Sequence, residues 1–396
     1  MEQKIKISKF MEVVEDGSKA YATCPAGDAA RIIPPVIRFH KPDGTYTDYL
    51  LFVEEYRPPV GKKICNFPGG RLNKGENGLV AIVRELVEET GLEVDINGVK
   101  MLTPSKPKDS QNSNEGESLF ICPQIINVDQ DETQFVEMLY KTQHLDETEE
   151  CKIKLVDISN IDEFMKNTDM CLPTRLALIQ FLAMRDKTQT AYPKFIPYYS
   201  TMGDMQYADT VYQNKDFEIQ KLDVGYDYCY YSPVKNHRYS LMITIDVEGK
   251  KYYAFEKIMP YSQNGEDVYT FPYIDINEPT KATNKTALAI TVLQRYGLAT
   301  RVSGLESITP YDAVSPGFTD LRQCVCHATI KLSKQDFATL AIDQKLTVVS
   351  QEDLMQGKVN TDYITTITTD IDIQLDSNKQ KQSTAVDTKQ DESEIV

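Results

Sequence analysis

The chain has 396 residues, 41% of them hydrophobic, which is enough to bury a sizeable core and to build two or three domains, with two as the starting expectation. A formal net charge of −16 excludes nonspecific attraction to nucleic-acid phosphates or anionic membrane surfaces, so a phosphate-bearing ligand needs a cation to reach this protein. No apolar run approaches a membrane span and the opening MEQKIKISKFMEVVEDG lacks a signal-peptide core, so the reading is a cytoplasmic protein with no nucleic-acid and no membrane partner.

From residue 35, PVIRFHKPDGTYTDYLLFVEEYRPPV predicts two strands joined at the turn signal KPDG and followed by a loop at RPPVGKK. The next stretch, GGRLNKGENGLVAIVRELVEETGLEV (residues 69–94), predicts a helix that ends at Gly91. Leu79, Val83, Leu86 and Thr90 recur on one face of it, while Glu85, Glu88 and Glu89, at i, i+3 and i+4, share the other. Strands follow at SLFICPQI and CKIKLVDI, and CLPTRLALIQFLAMRD predicts a closing helix with Pro173 near its start. A first domain of roughly 190 residues results.

The second half repeats this order. Phe67 and Phe271 are 204 residues apart, and Gly91/Gly297 and Pro104/Pro310 are both 206 apart, so order and spacing are kept together as in a duplication. The chain ends in DSNKQKQSTAVDTKQDESEIV, whose polar composition reads as a disordered tail. Eight cysteines include no CxxC pair and are accompanied by four histidines, which disfavours a zinc site or disulfide framework. Cys324 and Cys326 alternate within RQCVCHATI and are expected as small buried hydrophobes on one strand face.

Like charges at i, i+3 and i+4 repel by a few tenths of a kcal/mol per pair, so Glu85, Glu88 and Glu89 need an offsetting partner. Ala81, one turn before Glu85, leaves room for a ligand, and Gly69 and Gly70 permit a tight turn that brings a backbone carbonyl close. Carboxylate and carbonyl oxygens suit Mg²⁺ or Mn²⁺, hard cations that bridge protein carboxylates to substrate phosphates.

From Gly70 the chain reads G, five residues, Glu76, seven residues, then Arg84, Glu85, Leu86, any residue, Glu88, Glu89, any residue, Gly91 and Leu92. That is the complete Nudix box, with chance odds on the order of 10⁻⁹ per start. Residues 35–190 therefore resemble a Nudix hydrolase. EEYRPPVG followed by NFPGGRL is similar to the subgroup that hydrolyses ADP-ribose and related ADP-sugars. The resemblance implies that Glu85, Glu88, Glu89 and the Gly69 carbonyl bind Mg²⁺, with Mn²⁺ as a substitute. It implies that Arg84 holds a box glutamate, and that Glu76 supports the loop or the outer metal shell. It further implies a loop carboxylate that handles the attacking water, here Glu115 with Glu117 as the alternative, and an arginine near the substrate, here Arg57.

The first half lacks the SPGF loop that often follows the box in that subgroup, whereas the second half keeps SPGFTD at 315–320. Counting back from Gly297 places Ile290, Thr291, Gln294 and Arg295 opposite Arg84, Glu85, Glu88 and Glu89, which removes metal chemistry from the second copy. The expected architecture is α/β, two tandem Nudix folds with a mixed sheet sandwiched between helices. Residues 1–190 form a catalytic domain with an N-terminal strand segment, 191–374 a degenerate copy and 375–396 the tail. The two halves are expected to pack as an intramolecular pseudo-dimer. The expected activity is hydrolysis of ADP-ribose or an ADP-sugar to AMP and a sugar phosphate. The alternatives are NADH or a diadenosine polyphosphate as substrate, or a nucleotide-sensing protein.

Overall fold

A computed structural model describes residues 3–9, 11–16, 19–25, 27–109, 113–145, 150–193, 208–223, 227–258, 267–277, 279, 284–315, 318–342 and 345–393. Pro34 and Pro35 split the first half into two sheets, because neither residue can donate to a ladder. Before them, Ala29–Ile33 lies between Gly69–Arg71 and Gly116–Ile121, with Lys100–Pro107 at the far edge. After them, Val36–His40 pairs with Ile125–Val128 and with Tyr46–Arg57, which also carries Cys151–Asp157 and Lys62–Asn66. The hairpin expected at KPDG is present, with Gly44 at φ +81°, and the pairing is mixed, parallel from Ala29–Ile33 to Gly116–Ile121 and from Val36–His40 to Ile125–Val128, and antiparallel at the other pairings of these two sheets.

Alternation along these strands sends side chains to two faces. Ile32, Leu51 and Phe120 face the helices Gly78–Thr90 and Glu132–Thr142. Ile33, Leu50, Phe52, Leu119 and Ile121 face the other way, toward the helix Leu172–Arg185. In the second half a long strand is continuous: His237–Val247 runs parallel to Arg322–Lys331 over ten residue pairs, and no proline interrupts it. Its helix, Lys285–Gln294, covers Leu241, Ile243 and Ile245. Cys324 and Cys326 are both buried on the same face of Arg322–Lys331, as the alternation requires.

The core does not stop at residue 190. One apolar cluster joins Phe52, Phe67, Leu176 and Ile179 to Phe255, Phe271, Ile367 and Ile371, through the paired helices Leu172–Arg185 and Tyr363–Ser393. Arg175 on the first of these helices, 1% exposed, makes a bidentate pair with Asp312 of the second half. The N-terminal strands Gln3–Lys6, Glu12–Asp16 and Lys19–Thr23 form their own sheet, which meets the sheet of Ala208–Gln213, Phe217–Asp223 and Asp227–Pro233 through Met11, Val13, Phe217 and Ile219.

The tail expectation is corrected. The last helix spans Tyr363–Ser393, past the residue 375 at which composition reads as disorder. Ile364, Ile367, Ile371 and Leu375 repeat at helical spacing and seat it on the core, and the buried Asn378 donates to the carbonyls of Ala183 and Gln189 at 3.0 and 2.9 Å. No helix among the described residues is long and apolar enough to cross a membrane.

Candidate active site

The glutamate helix Gly78–Thr90 starts at Asn77, whose side chain accepts from the Val80 amide at 3.0 Å, and stops at Gly91, left-handed at φ +69°. Its buried face is rotated from the expected one: Ala81, Ile82, Leu86, Glu89 and Thr90 are buried, while Leu79 and Val83 are only partly so. Ile82 and Leu86 dock on Ile32 and Phe120, and that seating turns the Glu85, Glu88 and Glu89 side into a cavity instead of into solvent.

That cavity has a volume of about 480 Å³. Arg84 organises its acidic side, donating to Glu85 at 2.9 Å, to Glu88 at 2.7 Å and to the Arg71 carbonyl at 3.0 Å. Glu89 is 8% exposed and accepts from the Gly69 amide at 2.9 Å. Burial pushes its carboxyl well above the usual range, and Glu55 and Glu85 add to the shift. Glu76 stands outside the residues that line the cavity and takes the loop-supporting role: Arg84 grips both its oxygens at 3.0 and 2.9 Å and the Asn73 amide donates at 2.8 Å. Its place is to tie the loop to the helix.

Arg57 lines the cavity and donates to Glu55 at 2.7 Å, while its buried Nε has no hydrogen-bond partner among the described residues. Glu115 and Glu117 both reach the cavity, but neither is an exposed loop carboxylate, being 5% and 1% exposed. Arg71 donates to Glu115 at 2.9 Å and Arg31 to Glu117 at 2.8 Å, and Lys108 bridges the two at 3.1 and 3.0 Å. Burial alone would raise the pKa of each carboxyl. Lys108 and Arg71 outweigh it at Glu115, and Arg31 and Lys108 bring Glu117 down to about 2.

Sequence reasoning missed Arg31, Arg71, Lys108 and Glu55, which line the same space. Two carried a signal: Glu55 lies two residues before Arg57 on one strand and so on the same face, and Arg31 is a lone charge within the otherwise apolar AARIIPP. The cavity also takes Tyr228, Cys229, Ser315 and Phe318 from the second half.

Do these residues fit a divalent cation? By donor chemistry Glu85, Glu88 and Glu89 are the hard-oxygen ligands such a cation takes, although among the described residues no three acidic side chains converge as a metal site, since Arg84 holds Glu85 and Glu88; a Cβ at Gly70 would collide with the Glu85 carboxyl. Their chemistry fits. Gly70→Ala should therefore displace Glu85 and lower turnover at least tenfold with the melting temperature little changed, as checked by kinetics beside thermal unfolding.

Residues 35–168 match the NUDIX domain. The matched stretch contains the glutamate helix and both Glu115 and Glu117. The chain is 32% identical over 125 residues to putative nudix hydrolase 2 of Caenorhabditis elegans, covering 31% of this chain and 50% of that protein. It is 45% identical over 51 residues to the methanol dehydrogenase activator of Bacillus methanolicus, covering 13% and 28%. With the ADP-sugar pyrophosphatase of Mus musculus it shares 32% identity over 71 residues, covering 18% and 30%. The chain thus spans half or less of the length of these curated relatives.

Proposed function

We propose that the protein is a metal-dependent hydrolase of a nucleoside diphosphate linked to a second group, with ADP-ribose or an ADP-sugar as substrate and AMP plus a sugar phosphate as products. One observation carries this reading: Glu85, Glu88 and Glu89 share a single cavity with Arg31, Arg57, Arg71 and Lys108, so one site offers both a cation-binding set and phosphate-binding cations. The similarity to a nudix hydrolase and to an ADP-sugar pyrophosphatase supports the reaction class.

Held by Glu85, Glu88, Glu89 and Gly69, Mg²⁺ or Mn²⁺ would neutralise the diphosphate and polarise its phosphorus. Arg84 keeps Glu85 and Glu88 in place. Arg57 offers its unpaired Nε to the substrate, and Arg31, Arg71 and Lys108 face the charge that builds on the phosphoryl oxygens. Glu115 accepts the proton of the attacking water.

We further propose that the second half is a Nudix-like copy in which side chains have filled the site, leaving it a structural and partly ligand-binding role toward the first. At the 204-residue offset of Phe67 and Phe271, Tyr273 and Ile274 stand where Gly69 and Gly70 do. Arg295, opposite Glu89, donates to the Tyr273 carbonyl at 2.8 Å, putting a protein cation on the backbone oxygen opposite that of Gly69.

A panel of ADP-ribose, ADP-sugars, NADH and diadenosine polyphosphates, assayed with Mg²⁺ and Mn²⁺ by phosphate release after phosphatase treatment, tests the function. ADP-ribose or an ADP-sugar should give the highest kcat/KM. Preference for NADH or a diadenosine polyphosphate replaces the substrate, and tight binding without turnover replaces the enzyme with a sensor. In the same assay Glu115→Gln should lower kcat on the order of 10²-fold with KM little changed. Glu117→Gln should chiefly cost stability. Because the folded pKa of about 2 lies below the unfolded carboxyl value, ionised Glu117 stabilises the fold above that unfolded value, and the contribution is lost as pH falls toward 2. The variant should lack this part of the acid dependence, as read by urea unfolding across pH. If the loss of kcat follows Glu117 instead, the water-handling role moves to that residue.

A further inference from the structure

Ser315 is 200 residues from Glu115 along the chain, yet its Oγ–H donates to Glu115 Oε2 at 2.7 Å, and both residues are buried, at 7% and 5% exposure. The remaining contacts of this carboxylate are Lys108 on the same oxygen at 3.1 Å and Arg71 on Oε1 at 2.9 Å. A carboxylate has about four acceptor directions. Among the described residues, Glu115 uses three of them, and the fourth, on Oε1, is left toward the cavity it lines. Glu117 differs: Arg31 and the Tyr363 hydroxyl occupy Oε1, at 2.8 and 3.2 Å, while Lys108 and the second Arg31 nitrogen occupy Oε2, at 3.0 and 3.5 Å. Geometry thus separates two carboxylates that sequence left as alternatives.

The chemistry of the third donor matters. Lys108 and Arg71 already hold Glu115 anionic; a further cation would make it a weaker proton acceptor, whereas a neutral hydroxyl fixes the rotamer without adding charge. Phe318, from the same second-half segment, lies 5.4 Å from the Arg71 guanidinium and steadies the other partner of Glu115.

We propose that Ser315, supplied by the second half, is a positioning residue for Glu115: it pins Oε2 so that Oε1 keeps one acceptor direction for the attacking water. The proposal rests on the hydrolase reading above. In that reading the second half, without the box acids, still completes the site by orienting its base.

The test uses the full chain with ADP-ribose and Mg²⁺, comparing Ser315→Ala, Ser315→Thr, Glu115→Gln and the Ser315→Ala/Glu115→Gln double variant. A hydrogen bond to a charged group corresponds to roughly tenfold to a hundredfold, so Ser315→Ala should lower kcat by about that factor with KM little moved. Ser315→Thr, which keeps the hydroxyl, should recover most of the loss. The double variant should be no slower than Glu115→Gln alone, because the serine acts only through that carboxylate. A wild-type kcat in Ser315→Ala, or losses that multiply in the double variant, overturns the proposal while leaving the hydrolase reading intact. A wild-type chain inert toward ADP-ribose and the whole panel overturns both.

Discussion

Glu89→Gln should lose turnover on the order of 10²–10³-fold while the protein remains folded. Removing one anionic ligand forfeits part of the several kcal/mol by which a bound cation stabilises transition-state charge, and each 1.36 kcal/mol is a factor of ten. The fold should tolerate the change, because glutamine is nearly isosteric and its amide oxygen can still accept from Gly69. Burial beside Glu55 and Glu85 already disfavours the charge at this position, so neutralising it should leave the melting temperature unchanged or raise it. Glu88→Gln should behave alike in activity, and its effect on stability should be smaller still, since its side chain is 40% exposed and bound to Arg84. Full activity in either purified variant, measured at saturating Mg²⁺, rejects the catalytic assignment of the box.

A chain ending near Lys187 should aggregate or dimerise and bind substrate poorly. Cutting there uncovers Leu172, Leu176, Ile179 and Ala183, which pack with Tyr363, Ile364, Ile367 and Ile371 of the last helix. Burial of such a side chain stabilises by roughly 1.5–3 kcal/mol, so uncovering three or four offsets much of the 5–15 kcal/mol that holds a typical domain together. Arg175 would also lose Asp312 and keep the carbonyls of Met165 and Thr168 as acceptors. On the site side, Glu115 loses Ser315, Glu117 loses the Tyr363 hydroxyl, and the cavity loses Tyr228 and Phe318. Light scattering and substrate titration decide the matter: a monomeric, fully active fragment would show the second half to be dispensable and would end the pseudo-dimer reading.

The acidic part of the site was legible because it is local. Glu85, Glu88 and Glu89 need only the pitch of one helix to share a face, and Asn77 and Gly91 mark the ends of that helix within the same stretch. The apolar face was misjudged by part of a turn, since periodicity defines a stripe while docking on Ile32 and Phe120 selects its centre. Glu76 is tied down within the same stretch: the fork of Arg84 and the Asn73 amide take its oxygens, so it joins the loop to the helix, the first of the two roles the resemblance implied. The tail was misread because a polar composition hides Leu375 and Asn378, whose partners lie almost two hundred residues earlier.

By itself the sequence determined the helix and its caps, the carboxylates on it with their arginine, and the turn at KPDG. These follow from neighbours within a few residues, where backbone geometry converts spacing into direction. Only the tertiary structure decided that Arg31 and Lys108 hold Glu117, that Ser315 reaches Glu115, and that one apolar core runs through both halves. Those contacts span separations from nine to 200 residues. They form because both sheets must bury their inner faces against the same pair of helices, and no local period in the chain encodes which distant side chains that burial brings together.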